Sequence, residues 1–208
     1  MDICHLLIRM FCFDQRHTSQ NLCEELQRVT TKWDISQKVH AVTTDNAANV
    51  VNSVKLAGLS HIPCFAHTLN LVVQSSLKEI ENIRRKVKST VEHFHRSTQA
   101  NAKFFTIQKQ MNSDSDSIPL KLKNDVVTRW NSTFYMFERI IKLKEPLTAT
   151  IGLLHSPVEL LLPLEWTALE ESCKILKPFE QVTSEMSAEK TVTLSKVINI
   201  VRGLVSFT

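Results

Sequence analysis

Asp45 stands in the run Thr43-Thr44-Asp45-Asn46-Ala47-Ala48-Asn49, directly after a β-branched stretch and directly before a helix-forming one. A carboxylate at the C-terminal end of a strand in an α/β layer can point into the crevice above the sheet and hold a divalent metal. An Asp or Asn there also serves as a helix N-cap, and the two roles are compatible if Asn46 caps while Asp45 faces the crevice. Cys64-Phe65-Ala66-His67 has the two-residue gap of a zinc half-site, because a thiolate and an imidazole three positions apart can reach one ion. A closed zinc site needs two further ligands, and no second pair at ligand spacing follows. His93-Phe94-His95 falls on a predicted helix, where the two rings diverge. The other reading is a buried cysteine with a histidine near a helix start. Arg129-Trp130 joins a phosphate-binding fork to a broad stacking surface, the side chains that single-stranded or extruded bases require. A tryptophan opening a helix is also core material.

Cations form a second theme. The net charge is +4, but from Lys78 to Lys109 there are eight Lys or Arg against three Glu, with Arg84, Arg85, Lys86 and Lys88 close together. From Glu159 to Lys190 the balance reverses, with seven Glu against three Lys. Such asymmetry fits a nucleic-acid-facing part and a separate scaffold part, or simply two solvated helix faces. No Gly-rich phosphate loop is present, and His17, His40, His61 and His155 lack any local nucleophile signature. A small-molecule substrate is not expected.

The elements that must position these groups follow from periodicity. Leu6 to Phe13 has the length of a buried strand, and Thr18 or Ser19 can cap a helix that ends near Lys32 to Asp34. A second strand is predicted over 38–44 and a helix over 47–56, the strand–helix alternation of an α/β layer. After Pro63, Val73, Leu77, Ile80, Val87, Val91 and Phe94 mark one face of a long helix or helix pair, and Phe104, Ile107 and Met111 mark another helix. The Ser/Asp run at about 112–118 predicts a mobile linker. Further helices are predicted over 132–144, over 165–183 with Pro178 as a kink or stop, and over 194–207.

Three glycines, six prolines and 43% hydrophobic residues in 208 favour a mostly helical, packed chain. Five widely spaced cysteines argue against a disulfide framework and for a reducing compartment. No stretch approaches a membrane span; the best, Val158 to Leu164, is broken by Glu159 and Pro163. A start inside an apolar strand and an end inside a helix suggest a piece of a longer polypeptide.

The Thr44-Asp45-Asn46-Ala47-Ala48-Asn49 run, the stretch from Cys64 to Val73 and the Thr128-Arg129-Trp130-Asn131-Ser132-Thr133 run, in that order, resemble hAT-superfamily DNA transposases and the zinc-finger BED-type proteins derived from them. Arg16-His17-Thr18 and Met186-Ser187-Ala188-Glu189 match the same pattern, so the resemblance covers nearly the whole chain. It implies an α/β plus all-α chain. Residues 1–62 would be part of an RNase H-like core with two strands and two helices, and 63–208 a large helical insertion.

It also implies three acids holding two Mg²⁺ or Mn²⁺ ions for DNA strand cleavage and transfer. Asp45 matches the second acid. The first would lie upstream, where Asp2 stands too near the predicted strands, and the third beyond the insertion, past Glu180, Glu185 and Glu189. The expectation is therefore a vestigial site, no catalysis and no cofactor in this chain. By the same resemblance Cys64 and His67 organise DNA ends, Trp130 stacks on a displaced base and Arg129 steadies the backbone beside it. Arg84, Arg85, Lys86 and Lys88 complete the expected DNA-binding set. The family further implies nuclear location and a homo-oligomer in full-length form. Two other readings stand beside this one: part of an active transposase, and a helical protein-interaction module.

Overall fold

The computed structural model describes residues 15–112, 118–154, 158–187 and 196–207. Among these, helices predominate and two short strands form the sheet. The chain divides into two compact units, one of residues 15–71 with 185–207 and one of 72–184. Their boundary falls inside a helix, whereas the sequence reading divided the chain at 62–63.

The first unit opens with α1 (Ser19–Lys32), capped as the sequence suggests: the Thr18 hydroxyl accepts from the Asn21 N–H at 3.2 Å. β1 (Ala41–Thr44) and β2 (Ser60–Pro63) pair in parallel, Ala41 opposite Ser60 and Thr44 opposite Pro63, with α2 (Ala48–Leu56) as the crossover. β1 starts later than expected because the Lys38 and Val39 N–H groups both turn back to the Ile35 carbonyl, at 2.8 and 3.2 Å. β2 has no hydrophobic alternation to announce it; its Ser-His-Ile-Pro sequence is weakly β-forming and takes its conformation from the pairing. α2 stops at Gly58, whose φ of +74° only glycine adopts without strain, letting Leu59 N–H reach back to the Val54 carbonyl at 3.1 Å. The strand predicted over 6–13 lies outside the described residues.

α3 (Phe65–Ser76) leads from the first unit into the second. The expected long helix is instead broken by a 3₁₀ turn at Leu77–Ile80 before α4 (Glu81–Arg96). Ser97 then caps α5 (Thr98–Met111), its hydroxyl accepting from Ala100 N–H at 3.1 Å. α6 (Trp130–Lys142) begins two residues before the predicted start, and α7 (Lys144–Leu154) follows almost at once, unannounced by any clear apolar period. α8 (Pro163–Met186) runs straight through Pro178, which neither ends it nor takes part in its hydrogen-bond ladder as a donor. α9 (Val197–Phe207) belongs to the first unit; residues 194 and 195 of the predicted last helix lie outside the described set.

The second unit holds a continuous apolar core. Phe94, Phe104, Trp130 and Phe137 are fully buried, joined by Val87 and Val91 from α4, Leu147 and Ile151 from α7, and Trp166 and Leu169 from α8. Full burial of each Phe contributes about 1.5–3 kcal/mol before entropy is counted. Gln108 adds a polar clamp: its side-chain amide donates to the Leu120 carbonyl at 3.0 Å and accepts from the Leu120 N–H at 2.9 Å. Most of the predicted mobile linker, 113–117, lies outside the described residues.

Candidate functional site

In the first unit the parallel pair delivers Asp45 and Cys64 to one end of the sheet, because each directly follows a strand. The Cys64 N–H donates to the Thr44 carbonyl at 2.8 Å, carrying the ladder one residue past β2. Asp45 is exposed, and its Oδ1 accepts from the Ala47 N–H at 3.3 Å, a weak turn contact just ahead of α2. The N-cap of α2 is Ala47 and carries no side-chain cap bond, so neither Asp45 nor Asn46 caps the helix, and the Asp45 carboxylate remains open to solvent. The Thr44 hydroxyl donates to the Asp45 carbonyl at 2.7 Å, so it accepts from Nε2–H of His61 at 2.9 Å. His61 was not singled out from the sequence, where nothing marks it; only the strand register brings it to Thr44. Asn49 ties the α2 start to the loop before α1 by donating to the His17 carbonyl at 2.9 Å.

Cys64 and His67 are both half-buried around the start of α3. Among the described residues no three of His, Cys, Asp and Glu come close enough together to hold a metal ion. The described groups therefore do not by themselves fit the two-metal clamp that the resemblance implies, nor a closed zinc site.

In the second unit the four cations of α4 separate into two kinds. Arg84 turns inward: its Nε and Nη2 donate to Oδ2 of Asp125 at 3.2 and 2.9 Å, and the Asp125 side chain has no exposed surface. Lys86 is held by Glu159 at 2.8 Å and Glu165 at 2.9 Å. These contacts, first the hydrogen bond Lys86 donates to Glu159 and then the one it donates to Glu165, raise the Lys86 pKa above its ordinary value. Arg85 is exposed and donates to the neutral side-chain amide of Asn82 at 3.1 Å. Lys88 is half-buried and lines a cleft of about 310 Å³ that also holds Glu92, His95, Arg96 and Asn124. Among the described residues neither Arg85 nor Lys88 forms an ion pair, while Arg84 and Lys86 are each paired within the fold.

The Arg129-Trp130 pair is split by the start of α6. Arg129 is exposed, and Trp130 is fully buried with its ring centroid 6.5 Å from that of Phe134. In this conformation protein covers the indole faces, so Trp130 anchors a helix and is not available for stacking on a base. The apolar content of α6 requires this: its inward stripe needs a bulky residue at its first turn.

Asp125 is the residue that sequence reading missed. Besides Arg84 it accepts from the hydroxyls of Thr133 at 2.8 Å and Ser132 at 3.1 Å. Burial alone would raise its pKa, but the Thr133 hydrogen bond, then Arg84 and Ser132, together hold the carboxyl below its ordinary 3.8. The available signal was a lone acid among Lys121, Lys123 and Arg129.

Residues 62–175, more than half of the chain, match the family described as the ZBED1 RNase-like helical domain. The human zinc finger BED domain-containing protein 6 is 34% identical over 166 residues, covering 78% of this chain and 16% of that protein. The human zinc finger BED domain-containing protein 4 is 28% identical over 97% of this chain and 17% of its own length. A putative AC transposase of Zea mays is 26% identical over 90% of this chain and 25% of its own length. The chain thus spans between about one-sixth and one-quarter of these relatives. With its helical unit matched along most of its length, the chain belongs to the family of the ZBED1 RNase-like helical domain, with BED zinc-finger proteins and hAT transposases among its relatives.

Proposed function

We propose that this chain is part of a transposase-derived nuclear protein that keeps a DNA-binding framework without catalysis. Family membership across residues 62–175 carries the reading, since its relatives include both BED zinc-finger proteins and a putative transposase. The β1–α2–β2 unit is read as a piece of an RNase H-like core, with Asp45 as its vestigial second acid. Exposed Arg85 and Arg129, with Lys88 in its cleft, supply the phosphate contacts, and Cys64 follows β2 at the sheet end where Asp45 follows β1, with His67 in the first turn of α3. Homo-oligomerisation belongs to the full-length form.

The test is binding of a labelled duplex to the purified chain over a range of salt, followed by addition of Mg²⁺ or Mn²⁺. Expected are an affinity that falls steeply with salt, since phosphate contacts displace counterions, and an uncut probe. Metal-dependent nicking that disappears in Asp45→Ala would replace this reading with an active transposase. Salt-insensitive failure to bind, together with a stable dimer in sedimentation, would favour a protein-interaction module.

A further inference from the structure

Lys88 is half-buried on α4, yet its ammonium makes neither an ion pair nor a hydrogen bond among the described residues. A cation drawn partly out of water without a counter-charge is unfavourable until an anion joins it. The cleft it lines, about 310 Å³, has Glu92, His95, Arg96, Asn124 and Asp125 as its other polar walls. Both acids there are already engaged. Asp125 receives Arg84 at 2.9 Å, and its side chain has no exposed surface. Glu92 stands one helical turn from Lys88, where the spacing would allow a pair, but its carboxylate lies 3.3 Å from Nη2 of Arg96 instead.

Charge in the cleft therefore cancels except at Lys88. A second donor is also unspent: the Asn124 side-chain amide makes no hydrogen bond among the described residues. The segment that carries it is fixed to α4, because His95 donates its Nε2–H to the Leu122 carbonyl at 3.2 Å. An ammonium from a helix and an amide from a separate segment thus line one cleft, whose volume lies at the lower end of the roughly 300–1,000 Å³ of ligand sites. A carboxylate offers two oxygens in one plane. A phosphate offers acceptor oxygens in three or more directions, which suits donors that come from different elements.

We propose that this cleft is a binding site for a single tetrahedral oxyanion of the phosphate class, with Lys88 as its counter-charge and Asn124 as a second donor. Arg84 and Arg96 act by keeping the two acids of the cleft neutralised, and His95 by holding the Asn124 segment in place. The proposal stands on the cleft alone and gives Lys88 a ligand whether or not the DNA-binding reading holds. The phosphate group has two possible sources, a small phosphomonoester or the backbone of a nucleic acid.

The experiment titrates the whole 208-residue chain with inorganic phosphate, sulfate and acetate at constant ionic strength, reading binding heat and melting temperature. Phosphate and sulfate are expected to bind saturably at one site and to raise the melting temperature, and acetate to do neither. Lys88→Met keeps the aliphatic stem and drops the charge; it should leave the melting temperature without phosphate unchanged or slightly higher, and weaken phosphate binding about 10-fold or more. Asn124→Ala should weaken it about 3-fold, and Arg85→Ala, outside the cleft, should not alter it. Phosphate binding that is equal in wild type and Lys88→Met, that acetate matches, or that does not saturate would overturn the proposal. Competition by a DNA duplex would assign the site to a backbone phosphate, and a duplex that binds without displacing phosphate would assign it to a phosphomonoester; both keep the site. A duplex that does not bind at all would overturn the DNA-binding reading and leave the phosphate site standing.

Discussion

Lys86 Nζ on α4 lies 2.9 Å from a carboxylate oxygen of Glu165 on α8 and 2.8 Å from one of Glu159 just before it. A basic residue read from the sequence as a nucleic-acid contact is thus a strut inside its own unit. Glu165 is held in turn by the Leu162 N–H at 2.8 Å, which with Lys86 lowers its pKa below the ordinary 4.5.

This separates the α4 cations by experiment. Arg85→Ala and Lys88→Ala should each reduce the slope of log affinity against log salt by about 1 and leave thermal stability within about 0.5 kcal/mol. Lys86→Ala should lower the melting temperature and leave the salt slope unchanged. A salt slope that falls equally for Lys86→Ala would show that the strut opens when DNA binds.

Asp125 predicts a pH dependence. Its carboxyl is held below 3.8 in the fold, so the unfolded chain takes up a proton first as the medium is acidified. The stability it contributes is fully present above pH 3.8 and is lost as pH falls through the lower folded value. Asp125→Asn should cost about 1–3 kcal/mol at pH 7, since Arg84 loses its main counter-charge. The difference in urea midpoint between wild type and variant should narrow steadily below pH 3.8. A constant gap through that range would show that Asp125 contributes no proton-linked stability.

Cys173 on α8 is predicted to be a slow thiol. Burial, then the nearby charges of Glu138 and Glu170, push its pKa up to about 12 from 9.0. At pH 8 its thiolate fraction is therefore about a thousandfold below that of an ordinary cysteine. Alkylation of the native chain, read cysteine by cysteine in a mass spectrometer, should leave Cys173 unmodified long after urea-unfolded protein is fully labelled. Equal rates in the two states would contradict the buried environment.

Trp130 tests core against platform directly. Trp130→Ala should destabilise the helical unit by about 3–5 kcal/mol, because it empties a fully enclosed site, and Trp130→Phe by less. With Trp130→Phe folded, DNA affinity is expected to match wild type. A large affinity loss in that variant at unchanged stability would mean that the indole leaves the core on binding.

Local signals made much of the secondary structure legible. Thr18 is a side-chain cap that sequence alone can bracket, and the helical stripes of α4, α5 and α8 show in spacing. What stayed hidden depends on partners distant in the chain. β2 is a strand because of its register with β1, and α7 because Leu147 and Ile151 meet the core of other helices. The same holds at the candidate sites. Motif spacing brought out Asp45, Cys64, His67, Arg129 and Trp130, but whether a side chain faces water or protein is decided by packing. Arg84 and Arg85 are neighbours of one type, and only the position of Asp125, forty-one residues beyond Arg84, makes one internal and the other external.

The Gln108 clamp has a consequence for how this chain can vary. By gripping both the N–H and the carbonyl of Leu120, one side chain fixes the distance between the end of α5 and the segment that leads to Asp125. The number of residues between those points is thereby uncoupled from the geometry on either side, at a closure cost that grows only logarithmically with length. A change in the length of this connection is therefore expected to leave the grip on Leu120, and the helices on either side of it, in place.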